Sequence, residues 1–214
     1  MAEAHPHKWL ITYNSISTSL WTIVLFNSVF LGIALGQPLV FEKTNKINTL
    51  IQTVALVEVV NAATGIVRAS LFTTGMQVYS RLLVVWGIWQ FLPESPANDH
   101  WSYISVTIAW ALSEIVKYSY HASSLMGNVP YWLAFIRYTA FIVLYPVGVG
   151  SEMLIMYLSL DVARAVAGDL MYYFLIINLA FYIPALVHLY THLLRQRKKV
   201  LGKYKKEAVE KKEQ

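Results

Sequence analysis

The sequence contains no cysteine. This absence excludes structural disulfides, zinc–thiolate sites and a thiol nucleophile. Charged residues are also scarce, at 14% of the 214 residues, whereas soluble domains carry about 25%. A chain with so few charges lacks the polar side chains needed to face water on all sides, so the composition argues against a soluble globular domain.

Long apolar runs are present instead. Residues 9–41 and 170–194 contain no Asp, Glu, Lys or Arg, and a helix needs only about 20 apolar residues to cross a bilayer. We therefore predict an all-α, polytopic membrane protein, a bundle of six transmembrane helices. The predicted spans are residues 9–36, 47–72, 76–92, 101–125, 131–158 and 170–194.

Basic residues are concentrated at the carboxyl end, where residues 195–214 hold nine of the 17 Lys and Arg residues. We interpret residues 1–195 as the six-span transmembrane domain and residues 196–214 as a basic cytosolic tail. The rest of the chain is slightly acidic, so the basicity favours a membrane-proximal tail over nucleic-acid binding. An even number of spans then places both termini in the cytosol.

Several charged residues interrupt the predicted spans: Glu58, Arg68, Arg81, Glu114, Lys117, Arg137 and Glu152. A charge at mid-bilayer costs roughly 2.5–3.5 kcal/mol, so such side chains face the bundle interior or pair with one another. Two interpretations remain open, a polar interior site or pairing that only fixes helix packing. Because Glu114 and Lys117 are three residues apart, a local salt bridge is expected between them.

The fifth predicted span carries the densest pattern. Tyr145 and Glu152 are seven residues apart, which places them on nearly the same face of a helix. Pro146 predicts a kink, and Gly148 allows another backbone or a ligand to approach closely. A phenol and a carboxylate that face one dry cavity form a plausible acid/base pair.

The run from Arg137 through Tyr145, Pro146 and Gly148 to Glu152 resembles the signature of the very-long-chain 3-hydroxyacyl-CoA dehydratases, also called the protein tyrosine phosphatase-like family. The likeness extends over roughly residues 10–200, including segments 65–68, 77–81, 110–119, 182–184 and 196–197. The resemblance implies a six-span enzyme of the endoplasmic reticulum membrane that removes water from a (3R)-3-hydroxyacyl-CoA to give a trans-2-enoyl-CoA. This is the third step of the fatty acid elongation cycle.

The resemblance also implies the site. The catalytic Tyr and Glu of the family fall on Tyr145 and Glu152, and we expect Glu152 to take the C2 proton while Tyr145 protonates the leaving hydroxyl, with the reverse assignment open. The expected substrate-binding or supporting residues are Arg137, Tyr138, Arg68, Lys117 and Gly148. Among them, the Arg and Lys side chains suit the anionic CoA phosphates.

The expected partners are the acyl-CoA substrate, the lipid bilayer and other enzymes of the fatty acid elongation complex, and no nucleic acid is expected. No cofactor or metal is expected either. His188 and His192 are four residues apart, but no third ligand is near them in the sequence. Lys211 and Lys212 resemble the dilysine signal that returns membrane proteins to the endoplasmic reticulum, although a lysine-rich tail can match it by chance.

Three departures from the family pattern keep a second function open. Asn61 stands where many members carry His, Lys117 stands where Arg is usual, and the segment after Glu152 is short. The alternative is a catalytically silent paralogue that serves as a structural subunit of an elongase complex. A transporter or channel is disfavoured, because the chain shows no internal repeat and no paired broken helices.

Overall fold

The computed structural model describes residues 5–67 and 69–210, with side chains for residues 8–67 and 69–204. Eight α-helices follow one another in this part of the chain. They are α1 (His5–Ala34), α2 (Leu39–Val54), α3 (Leu56–Ala63), α4 (Leu71–Leu82), α5 (Ser102–Leu125), α6 (Tyr131–Arg137), α7 (Phe141–Leu158) and α8 (Leu160–Glu210). No strand occurs among these residues, so the predicted all-α class is confirmed.

Some of these helices continue one another with short interruptions and form longer rods. Ala55 separates α2 from α3, and residues 138–140 separate α6 from α7. A π-helical stretch, Leu83–Gln90, extends α4. Within α8, the φ of 75° and the ψ of −171° at Gly168 are not helical, so the chain kinks there between two helical segments.

Three helices in the described part of the chain are long and apolar enough to cross a membrane: Lys8–Ala34, Tyr131–Leu158 and Leu160–Tyr204. The most apolar stretch of the third helix has only 6% of its residues buried within the bundle. Such an apolar outer surface is stable in contact with lipid, whereas its exposure to water would be energetically unfavourable. The protein is therefore a membrane protein, and the count of six membrane-spanning helices stays a prediction.

The predicted boundaries of the second and third spans are wrong. Instead of residues 47–72, the second rod begins at Leu39 and ends at Ala63. Gly65, with a φ of 73°, turns the chain after α3, and the Ser70 side chain then caps the start of α4. Hydropathy missed this turn because apolar side chains continue through it, so the second span was extended too far and the third was begun too late.

Helix α7 runs through Pro146, and the break in this rod lies upstream at residues 138–140. A proline ring clashes with the carbonyl four residues earlier, which here belongs to Ile142 in the first turn of α7. The kink at Pro146 stays a prediction.

Helix α5 is the centre of the bundle. Helix α1 lies antiparallel along one side, since Tyr13 near its start contacts the Tyr118 ring at 5.9 Å and Gly32 near its end packs on Ile104. Helix α7 lies along another side, where the hydroxyls of Ser105 and Ser151 are 2.6 Å apart. Helix α8 packs against α7 in turn.

The two ends of the bundle differ in charge. At one end, Arg197 of α8 donates to the Thr139 hydroxyl at 3.2 Å, and the rings of Tyr131 and Tyr204 are 5.6 Å apart. We call this the basic end, because α8 carries Arg195, Arg197, Lys198 and Lys199 there. At the opposite end, the hydroxyls of Ser95 and Ser159 are 2.7 Å apart in the loops that precede α5 and α8.

The half of the bundle away from the basic end is solidly packed. Trp89 and Tyr103 meet edge to face with ring centroids 4.8 Å apart, and the Tyr103 hydroxyl accepts a hydrogen bond from Asn48 at 2.8 Å. Ile155 and Met156 of α7 are completely buried beside them. The open space of the bundle therefore lies in the other half, toward the basic end.

Candidate active site

A cavity of about 250 Å³ is lined mainly by α4, α5, α7 and α8, and Glu58 of α3 and Arg137 of α6 also line it. Five of the seven predicted site residues line it: Tyr145, Glu152, Gly148, Lys117 and Arg137. Tyr138 lies at the break between α6 and α7, where its ring contacts Tyr120 at 5.7 Å, and it is not among the lining residues. Arg68 lies outside the described residues.

Glu152 is the most firmly held group in the cavity. Its carboxylate is buried, with only 5% of the residue exposed. The Trp110 indole nitrogen of α5 donates to Oε1 at 2.7 Å, and the Tyr182 hydroxyl of α8 donates to Oε2 at 2.7 Å. Donors on both oxygens fix the orientation of the carboxylate. Three helices therefore meet at this one side chain.

Tyr145 lies two turns earlier on α7 and is half-buried. Its ring stacks on Tyr190 of α8, with centroids 6.4 Å apart and an interplanar angle of 30°. Its hydroxyl has no hydrogen-bond partner among the described residues, so it is available to a ligand. Seven residues along a helix span roughly 10.5 Å between Cα atoms, and both side chains reach into the same cavity.

Gly148 lies between these two residues and lets α5 approach α7. A Cβ atom built on it would lie 3.6 Å from the Cβ atom of Ala109, which is ordinary contact. A methyl group therefore fits at this position, whereas a larger side chain would push the two helices apart. The close approach brings Trp110, next to Ala109, within hydrogen-bond distance of Glu152.

The other intramembrane charges pair with one another along one wall of the cavity. Lys117 contacts Glu114 at 2.6 Å and Glu58 at 2.8 Å, and Arg81 contacts Glu114 at 2.6 Å. The predicted Glu114–Lys117 salt bridge is confirmed. The Tyr118 hydroxyl also donates to Glu58. Two acids and two bases compensate one another, so these four residues support the interpretation of mutual pairing between helices.

Arg137 differs from these residues. It lines the cavity from the last turn of α6 and has no carboxylate partner in the described part of the chain. The basic residues of α8 approach the same end of the bundle, since Arg197 contacts Thr139 two positions after Arg137. The mouth of the cavity is therefore positively charged and suited to an anionic group.

No pattern in the sequence predicts a role for Trp110, Tyr182 or Arg81 at this site. Trp110 holds Glu152, and the Arg81 guanidinium lies 5.9 Å from the centre of the Trp110 ring. Trp110 and Tyr182 both fall in segments that carry the family resemblance. Their hydrogen bonds to Glu152 join residues 42 and 30 positions apart in the sequence. Such pairs cannot be predicted from the periodicity of a single helix.

Known proteins identify the family. The model of "Protein tyrosine phosphatase-like protein, PTPLA" matches residues 52–203. A protein of Schizosaccharomyces pombe named probable very-long-chain (3R)-3-hydroxyacyl-CoA dehydratase is 37% identical, covering 94% of this chain and 96% of the relative. Dehydratase 1 of Mus musculus is 36% identical over 90% of this chain and 73% of its own length, and dehydratase 2 of Homo sapiens is 35% identical over 91% and 81%.

No solved structure matches the chain significantly. The family match covers most of the sequence, including every described residue of the cavity, and the S. pombe relative aligns over nearly its full length. The resemblance that the fifth span suggested is confirmed on these grounds. The chain belongs to the protein tyrosine phosphatase-like (PTPLA) family.

Proposed function

We propose that this protein is a membrane-embedded dehydratase that removes water from very-long-chain (3R)-3-hydroxyacyl-CoA to give trans-2-enoyl-CoA, the third step of the fatty acid elongation cycle. The observation that carries the proposal is that Tyr145 and Glu152 line one cavity inside the bundle. The relatives described above all bear the name of this activity, and nothing favours the silent-subunit alternative. A cysteine phosphatase is excluded, because the chain has no cysteine.

Glu152 acts as the base and Tyr145 as the acid in the proposed mechanism. Glu152 takes the proton from C2, the C2–H electrons form the C2=C3 bond, and the C3–O bond breaks as Tyr145 protonates the departing hydroxyl to water. The two donors on Glu152 support this assignment, because they fix the carboxylate in one orientation toward the cavity. A proton passed from Glu152 back to Tyr145 restores both groups.

The CoA portion of the substrate binds at the basic end. Arg137 is the strongest candidate for the CoA phosphates, since it lines the cavity mouth without a carboxylate partner among the described residues. Lys117 is engaged by Glu58 and Glu114 and serves as a secondary contact. Tyr138 holds the chain at the break beside Arg137 through its ring contact with Tyr120. Gly148 keeps α5 and α7 close together. Arg68 is proposed as a substrate-binding residue from the sequence pattern alone.

The proposed orientation of the protein in the membrane follows from the same charge distribution. We place the protein in the endoplasmic reticulum membrane with six spans and both termini in the cytosol, next to other enzymes of the fatty acid elongation complex. The basic residues of α8 support a cytosolic basic end. The dilysine pair at 211–212 lies outside the described residues.

Turnover by purified variants tests the catalytic pair. In detergent-solubilised protein, Tyr145→Phe and Glu152→Gln should each lower kcat by at least about a hundredfold, because each removes one proton-transfer group. Tyr157→Phe and Glu94→Gln make the same chemical changes at exposed positions and should keep wild-type turnover. Wild-type rates in either Tyr145→Phe or Glu152→Gln, with normal thermal melting, would contradict the proposal.

A further inference from the structure

The cavity is too small for the whole substrate. Its volume is about 250 Å³, and an apolar cavity of about 150 Å³ takes up a molecule as large as benzene. By that measure the cavity accommodates on the order of ten heavy atoms, enough for the thioester and the first carbons of the acyl chain. Most of a very-long acyl chain must therefore lie somewhere else.

The acyl chain cannot continue straight on past Glu152. Beyond Glu152, away from the basic end, Ile155, Met156 and Leu175 are completely buried, and Trp89 packs on Trp110 with ring centroids 5.6 Å apart. Protein interiors of this density hold no further ligand without repacking. The floor of the cavity is closed, and the chain has to leave sideways between two helices.

Among the four helices that supply most of the lining, three of the four seams between neighbours are crossed by side-chain contacts. Arg81 and Glu114 join α4 to α5 at 2.6 Å, and Trp110 and Glu152 join α5 to α7 at 2.7 Å. The seam between α7 and α8 is crossed by the bond from Tyr182 to Glu152 and by ring contacts of Tyr190 with Phe141 and Tyr145.

The fourth seam, between α4 and α8, is the loosest. Both helices line the cavity but barely touch each other. Among the described residues, two polar contacts bridge them. The Tyr79 hydroxyl donates to the Asn178 side-chain oxygen at 3.1 Å, and the Ser80 side chain lies within hydrogen-bonding reach of the Tyr182 hydroxyl. Phe181, one turn after Asn178, lines the cavity while 66% of it is exposed on the outside of the bundle. The cavity wall is thus continuous with the lipid-facing surface at this seam.

We propose that the acyl chain of the substrate leaves the cavity between α4 and α8, past the Tyr79–Asn178 hydrogen bond, and extends into the bilayer along Phe181. This inference rests on the proposed function and names the binding path of its substrate. Methylene groups beyond the seam lie in the hydrocarbon core of the bilayer. Each further carbon therefore adds little to the binding free energy, and no protein wall limits the length of the chain. The enzyme then accepts acyl chains of different lengths, because the protein encloses only their first carbons.

A matched pair of substitutions on α8 tests the path. Ala185 lines the cavity one turn after Phe181 and two turns after Asn178, on the same edge of the helix. Ala180 lies on a different face, in an apolar groove with Met153 and Ile183 between α7 and α8. Ala185→Trp therefore fills the proposed path, and Ala180→Trp places the same bulk in the neighbouring groove.

The readout is the ratio of kcat/KM for (3R)-3-hydroxyicosanoyl-CoA to that for (3R)-3-hydroxyoctanoyl-CoA. In Ala185→Trp this ratio should fall by about tenfold or more, since the longer chain needs the blocked path, and in Ala180→Trp it should match the wild type. An unchanged ratio in Ala185→Trp, an equal loss for both substrates, or a fall in Ala180→Trp would each overturn the path. Ala185→Leu, which adds less bulk, replaces Ala185→Trp if the latter does not fold.

A photoreactive substrate gives a second measurement that needs no substitution. A very-long-chain 3-hydroxyacyl-CoA with a diazirine at its methyl end should label bilayer lipid and the outer residues of α4 and α8. Label on α5 or on the outer face of α7 would contradict the proposal. If the wild-type protein dehydrates neither acyl-CoA, the proposed function itself is wrong. If the wild type dehydrates both and the kcat/KM ratio of Ala185→Trp is unchanged, only the proposed path of the acyl chain is wrong.

Discussion

Glu152 lies between two hydrogen-bond donors that come from different helices, and this arrangement sets its chemistry more than its position on α7 does. The Trp110 nitrogen and the Tyr182 hydroxyl each occupy one carboxylate oxygen at 2.7 Å. Neither donor needs to touch the substrate. In the proposed mechanism they are positioning residues, which aim the carboxylate at C2 of the substrate.

Removing either donor should slow catalysis without weakening substrate binding. Trp110→Phe and Tyr182→Phe each delete one hydrogen bond to a charged group, worth about 1.5–3 kcal/mol, so kcat should fall roughly tenfold to a hundredfold with KM nearly unchanged. Steady-state kinetics of purified protein measures both constants. Tyr173→Phe, at an exposed position of α8, is the matched control, and a rise in KM at constant kcat would instead assign the two donors to substrate binding.

At the scale of helices, the close approach of α5 and α7 is what assembles the site. Gly148 faces Ala109 at a distance that admits one methyl group, and Trp110 follows directly on α5. A bulkier residue at Gly148 would displace the indole from Glu152 and fill part of the cavity. The predicted kink at Pro146 is not needed for this assembly, because the break at residues 138–140 already sets the direction in which α7 enters the bundle.

Substitutions at two glycines of α7 distinguish the effect of the α5–α7 contact on activity from the effect of helix propensity. Gly148→Leu should lower kcat/KM by about a hundredfold or more, because misplacing a catalytic group by about an ångström costs that much. Gly148→Ala should keep most of the activity. Gly150→Leu makes the same change where nothing lies within 4 Å of the added atom and should leave turnover unchanged. Equal losses in the two leucine variants would show that helix propensity, and not the α5 contact, is responsible.

At the scale of the whole molecule, charge separates the two ends of the bundle. Arg137 and the basic residues of α8 lie at one end, and the exposed Glu94 and Asp99 lie in the loop before α5 at the other. Positive residues remain on the cytosolic side of a membrane. The cavity extends to Arg137 at this basic end, where the proposed function places the anionic CoA.

The absence of cysteine makes this orientation directly measurable. Single cysteines can be introduced into an otherwise unreactive chain, at exposed positions of the two ends. In sealed microsomes whose cytosolic face points outward, a membrane-impermeant maleimide should label Lys199→Cys at once and Asp99→Cys only after permeabilisation. Labelling of both variants in sealed vesicles would contradict an even number of spans with the basic end in the cytosol.

The sequence by itself determined the helical class, the membrane setting, the basic end and the shared face of Tyr145 and Glu152. Each of these follows from local composition or from the period of one helix. The salt bridge from Glu114 to Lys117 was predictable for the same reason, since it joins two residues three apart on one helix. Even the wrong boundary near Gly65 was a local error, because a turn within an apolar run leaves little trace in hydropathy.

Only the tertiary structure decided which groups meet across helices. It paired Glu58 with Lys117 and Arg81 with Glu114, placed Trp110 and Tyr182 on Glu152, and left α4 and α8 almost separate at the edge of the cavity. These contacts join residues 30 or more positions apart. Their partners are selected by the packing of helix on helix, whose rotation and register depend on the whole bundle.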